Sequence, residues 1–167
     1  MTVPFTTPDQ QVLYRERAWR AFDRITAADE APSATAPCWR QAEFRTQCGT
    51  GCCYAGHVAL GNGGQWLVDI RGDDMFIDGM AINPDVDEEL SWAVWEYMLA
   101  EPDDPEDAIE EAYGKRVVHV SNRAERLLGS PRRCHYLFFN GSNSRARLER
   151  LITEHIGPRV IVGGTAN

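Results

Sequence analysis

The sequence predicts an α+β fold: a single compact, mainly helical domain with a small antiparallel β-sheet and a buried, cysteine-bearing helix at its centre. Three observations carry that prediction. Amphipathic runs with recognisable caps lie near both ends of the chain. Short β-prone runs flank turn residues in the middle, and residues 52–60 are small and apolar enough to be buried. With 167 residues and 43% hydrophobic content, the chain can close one sizeable core, and nothing in it marks a second domain.

The elements follow in order. Thr7-Pro8-Asp9-Gln10 reads as a capping box with proline in the first turn. It opens a long helix that ends near Ala28 and places Val12, Trp19, Phe22 and Ile25 on one face. Residues 29–37 read as a flexible connector. Thr50 is the N-cap assigned to the cysteine helix, which stops at Gly61-Asn62-Gly63-Gly64. Residues 65–70 and 75–77 form a hairpin around the turn 71–74. Asp87-Glu88-Glu89 opens a further helix bearing Leu90, Ala93, Val94, Tyr97 and Met98, widened by Trp92 and Trp95. After Pro102 to Pro105, residues 106–113 read as a short acidic helix ending at Gly114. Residues 117–120 are a strand, and Ser121 caps a helix that ends at Gly129. Pro131 starts a short helix over 132–138, and residues 140–143 are a loop. Ser144 caps the last helix, with Leu148, Leu151, Ile152 and His155 on one face, and residues 160–162 form a final short strand.

Charge is segregated. Residues 85–114 carry 12 acidic and no basic groups, whereas residues 115–167 carry 10 basic and 3 acidic ones. Attraction between these regions within one fold is the first reading, and a partner surface is the second. A net charge of -8 argues against a nucleic-acid partner. No run of about 18 apolar residues could span a membrane, and no secretory signal is visible. The odd count of five cysteines points to free thiols in a reducing cytoplasm.

The run Cys48-Gly49-Thr50-Gly51-Cys52-Cys53-Tyr54-Ala55-Gly56-His57 concentrates the candidate chemistry. A thiol at a helix N-terminus feels the positive end of the macrodipole, which favours the thiolate. As a hydrolase, Cys53 or its neighbour Cys52 would be the nucleophile, His119 the base and Asn140 the orienting group. The local string superficially resembles that of papain-like proteases, with an insertion between the cysteines. As a metal site, Cys48, Cys53 (or Cys52), His57 and Cys134 (or His135) would supply a tetrahedral set. The favoured alternative is that these thiols are small buried hydrophobes that do no chemistry. Asp69, Asp73, Asp74 and Asp78 lack the spacing of a calcium loop and read as turn residues. Residues 123–133 resemble the start of a helix-turn-helix, with Arg132, Arg133, Arg145, Arg147 and Arg150 as phosphate contacts, but Glu125 stands where a small residue is needed. No nucleotide loop is present, and no cofactor is expected.

Three blocks together resemble an uncharacterised family of small proteins from actinobacterial phages and their hosts. The first is the cysteine run just quoted, with Cys48 and Cys53 as the pair of that family. The second is Ala124-Glu125-Arg126-Leu127-Leu128-Gly129, and the third is Phe138-Phe139-Asn140-Gly141-Ser142-Asn143 with the helix behind it. The resemblance covers residues 39–62 and 117–156 and implies a phage or prophage context and a mainly helical α+β fold, but no reaction. The expected function is that of a non-enzymatic accessory protein binding a host or phage protein. Two surfaces are candidates: the acidic segment, through Glu101, Asp103, Asp104, Glu106, Asp107 and Glu110, and the arginine-bearing face, through Arg132, Arg133 and Arg145.

Overall fold

The computed structural model describes residues 6–86, 90–130 and 135–160. The fold is α+β, with about 42% helix and 19% strand, which gives the mainly helical balance the sequence predicts. Helix α1 spans Pro8–Glu30 behind a complete capping box: the Gln10 N–H donates to Thr7 Oγ1 and the Thr7 N–H to Gln10 Oε1. Trp19, Phe22 and Ile25 are buried as expected, but Val12 is 43% exposed. Burial along α1 begins only at Ala18, so its first turns extend past the core.

Strand β1, Cys38–Trp39, runs parallel to β2, Gly51–Cys52. Helix α2, Tyr54–Leu60, follows at once with Cys53 as its N-cap. The cysteines therefore precede the central helix instead of lying on it, and Thr50 is not its cap. The reason is a tight loop: the Thr46 N–H donates to the Gly51 carbonyl at 2.8 Å, and the Gly51 N–H to Thr46 Oγ1 at 3.0 Å. These bonds commit residues 46–51 to a turn, with Gly49 at φ +72° in the left-handed region. Residues Tyr54 to Ala59 of α2 are all buried, as befits a helix apolar on every side.

The middle of the chain holds two antiparallel sheets where one was expected. Strands β3 (Asp69–Arg71), β4 (Asp74–Ile77) and β5 (Met80–Ile82) form a meander. The second turn, Asp78-Gly79, has φ of 51° and 79°, the positive pair that an Asp-Gly hairpin turn adopts. Strands β6 (Tyr97–Leu99), β7 (Ile109–Ala112) and β8 (Lys115–His119) form the second sheet in the order β6-β8-β7.

Two expected helices are thus corrected. Residues 87–89 lie outside the described part, but Val94–Glu96 make a single 3-10 turn and Tyr97 and Met98 enter β6. Both are fully buried, and a strand buried on two faces has the same continuous apolar signature as a helix segment. Trp92, assigned to a buried helical face, is 54% exposed. In the acidic stretch only Glu106–Ala108 is helical, as one 3-10 turn. Ile109–Ala112 pairs with β8 through a Tyr113-Gly114 turn whose φ values, 53° and 70°, are again both positive.

Helix α3, Val120–Leu128, is capped by the His119 ring, which accepts from the Ser121 N–H, not by Ser121 itself. It ends at Gly129 in the left-handed conformation expected of a C-cap glycine. Helix α4 is His135–Phe138; the earlier part of the helix expected over 132–138 lies outside the described residues. Helix α5, Arg145–His155, is capped by Ser144 as predicted and buries Leu148, Leu151 and Ile152. Val160 lies in irregular chain, and the rest of the strand expected over 160–162 is outside the described residues.

The five helices share one apolar cluster, centred on Phe22, Tyr54, Val58, Leu128 and Phe138. The sheets share another, centred on Val68, Met75, Tyr97 and Val117. Ala59, Met98, Val118 and Val120 lie between them. No described helix is long and apolar enough to cross a membrane.

Candidate functional site

The thiols around α2 divide by exposure. Cys48 sits exposed on the 46–51 loop, with its sulfur 3.0 Å from Thr50 Oγ1 and 3.5 Å from Thr46 Oγ1. Hydrogen bonding from Thr50 stabilises the thiolate and, with the Thr46 contact, brings its pKa down to about 7. Cys52 and Cys53 are buried, and burial pushes both thiols up, Cys53 to about 11. The N–H groups of Gly56 and Ala55 at the start of α2 do favour a Cys53 thiolate. Desolvation outweighs them. The helix N-terminus therefore acts on Cys53 with the right sign but too weakly to offset burial.

The other members of the catalytic alternative are engaged elsewhere. His119 Nδ1 lies 2.7 Å from Ser121 Oγ, and Nε2 lies 3.3 Å from Glu96 Oε2. Phe44, Trp92 and Tyr97 surround the ring, with centroids between 4.8 and 5.5 Å away. Asn140 Oδ1 accepts from the backbone N–H and the hydroxyl of Ser142, fixing its own loop. No hydrogen bond joins Cys53 to His119 or His119 to Asn140. Among the described residues, no three His, Cys, Asp or Glu side chains converge as a metal set, so Cys48, Cys53 and His57 do not form one. Cys134 lies outside the described residues.

Gln41 does what the sequence reading did not anticipate. Its Oε1 accepts from the Tyr54 N–H and from Trp39 Nε1, and its Nε2 donates to the carbonyls of Phe138 and Asn140. One buried amide thereby joins the start of α2 to the loop after α4. Asn143 closes the same junction, donating from Nδ2 to the Leu137 carbonyl at 2.6 Å. Arg45 is a second unanticipated tie: Nη1 donates to the carbonyls of Val68 and Trp95, and the guanidinium lies over the Trp66 ring at 4.6 Å. Burial lowers its pKa to about 10. An isolated polar residue in a loop carries no sequence signal for such roles.

Four carboxylates of the acidic segment are engaged by the chain's own side chains. Arg123, fully buried, donates from Nε to both oxygens of Asp104, from Nη1 to Glu101 and from Nη2 to the Leu99 carbonyl and Asp104. Arg126 adds bonds to Asp104 at 2.9 Å and to Glu101 at 2.6 Å. Burial opposes the charge on Asp104, but these bonds and the Glu101 N–H outweigh it and hold the carboxyl below its ordinary value. Glu106 pairs with Arg116, and Glu110 accepts from Tyr97 and Ser91. Asp103 and Asp107 face solvent.

On the basic side, Arg145 reaches Asp29 at 3.3 Å and Glu30 at 3.1 Å, while Arg147 and Arg150 stand exposed on the outer face of α5. Arg132 and Arg133 lie outside the described residues. Glu125 is 6% exposed and does not snorkel out of the helical core.

What these features define is a small α+β domain organised around a buried central helix, its polar side chains mainly tying segments together. Comparison with protein-family models, curated proteins and solved structures finds no match to the chain.

Proposed function

We propose that this is a non-enzymatic accessory protein, acting in a phage or prophage context, that docks on an acidic surface of a host or phage protein. The docking face is the outer side of α5 and the adjoining α4. The observation that carries the reading is the contrast between the two charged regions. Glu101, Asp104, Glu106 and Glu110 are engaged by the chain's own side chains. Arg147 and Arg150, one helical turn apart, have no carboxylate partner among the described residues. Tyr136 is 81% exposed on α4, which packs against α5, and tyrosine and arginine are enriched at interface hot spots. Net charge of -8 favours a protein partner over a nucleic acid.

The test compares wild type with the R147E/R150E double variant as affinity baits in host lysate, with far-UV circular dichroism to verify folding. The expected result is a protein retained by wild type, released by salt, and bound at least about tenfold more weakly by the variant. Identical retention by both baits overturns the proposal, as does recovery of nucleic acid and no protein.

A further inference from the structure

Between the last turns of α1 and the middle of α2, bordered by residues of the 31–38 segment, lies a pocket of about 250 Å³ that opens to solvent. His57 is 2% exposed, and neither Nδ1 nor Nε2 makes a well-formed hydrogen bond among the described residues, although the Cys38 carbonyl lies close enough to favour a ring N–H. Arg24 Nε is also buried and unpartnered, and Arg24 makes no ion pair among the described residues. A buried polar group left unpaired costs free energy comparable to the hydrogen bond it lacks. The rest of the wall is mainly apolar, from Ala27, Ala28, Ala31, Ala36 and Pro37, together with Ser33 and Cys38.

Arg24 is held in place by packing. Its side chain crosses the end of α2 at Gly61, where a Cβ would meet Arg24 Cδ at 3.2 Å. One cation and one imidazole therefore line a pocket whose other walls are mainly hydrocarbon.

We infer that this cavity binds a small organic carboxylate, its two oxygens taken by Arg24 and by a His57 ring N–H, and its hydrocarbon part lying against the alanine wall. A guanidinium recognises a carboxylate through directed, charge-assisted bonds. His57 supplies a neutral donor because burial lowers its pKa to about 4, with the Arg24 charge acting in the same direction and the Cys38 carbonyl against it. Inorganic phosphate matches the polar end of the cavity and leaves the apolar wall unused. The volume suits a molecule smaller than a typical drug-sized ligand.

Benzoate is the probe, with benzyl alcohol as its uncharged counterpart and inorganic phosphate as an anion without hydrocarbon. The readout is the pair of His57 ring nitrogen resonances in the full chain at neutral pH. Benzoate titrated to about 10 mM, above the millimolar range of weak small-ligand binding, is expected to shift both resonances saturably. H57Q and R24Q are each expected to weaken benzoate binding by about tenfold or more, followed by calorimetry, and R24K to weaken it less than R24Q. Circular dichroism and the unchanged resonances of His119 show that each variant folds. Absence of a saturable shift with benzoate overturns the inference. Equal shifts with benzyl alcohol or with phosphate also overturn it, because either result removes the requirement for a carboxylate carrying an apolar group. The result is independent of the α5 docking face, which these variants leave intact.

Discussion

Cys48, Cys52 and Cys53 are close in sequence and far apart in chemistry. Cys48 has two threonine hydroxyls and open solvent around it; Cys52 and Cys53 have neither water nor a cation close enough to offset burial. Iodoacetamide at pH 7.5 is therefore expected to alkylate Cys48 well ahead of Cys52 and Cys53, with a rate that reaches half its plateau near pH 7. C48S should remove that fast phase, and peptide mapping after unfolding should show Cys52 and Cys53 still unmodified. Early modification of Cys53 would instead revive the hydrolase reading. His57 carries a second residue-scale consequence. Its pKa falls from 6.5 in the unfolded chain to about 4 in the folded one, so the unfolded state binds the proton first as pH drops. The stability is complete above pH 6.5, is lost as pH falls toward 4, and amounts to about 3 kcal/mol over that window. Urea unfolding at a series of pH values checks this, and H57Q should flatten the slope between those limits.

At the scale of elements, the legible parts were those with local chemistry. The Thr7 capping box, the Ser144 cap and the Gly129 C-cap each place a specific side chain or a glycine at a helix end, so the starts of α1 and α5 and the end of α3 could be placed from the sequence alone. The strands β6 and β7 could not. Tyr97-Met98 is buried on both faces by long-range pairing with β8, and Glu110-Glu111 is strand only because Tyr113-Gly114 folds it back. Asp78 reads as a turn residue in the sequence, yet the strand β5 that its turn with Gly79 folds back against β4 was not expected.

The clamp between α3 and the 101–104 turn is the least local feature and the most consequential. Removing one partner strands a buried charge, so D104A is expected to cost about 3–5 kcal/mol, whereas R123M/D104L together should cost much less. The pair of denaturation curves measures it directly. G56A belongs at this scale as well: its Cβ would stand 2.5 Å from both Cβ and Sγ of Cys52, and a well-packed core resists such insertion by about 1–3 kcal/mol.

For the whole molecule, the question is whether the helical and sheet clusters unfold together. The candidate site was only partly legible because its ties are long-range: Gln41, Arg45 and Arg123 each connect segments more than 20 residues apart, which no short window contains. Arg123, on α3, also reaches the Leu99 carbonyl of β6, and that tie predicts cooperativity. Val118 is fully buried between the clusters, in β8, where it is paired with both Met98 and Ile109. Truncating it to alanine should cost about 2 kcal/mol through lost burial and residual cavity. If the clusters form one unit, that loss is shared by reporters in both. Fluorotryptophan resonances of Trp19, in the helical cluster, and Trp95, packed against the sheet cluster, should then lose native intensity at one common urea concentration, shifted equally by V118A. Separate midpoints, with only Trp95 displaced, would divide the chain into two folding units.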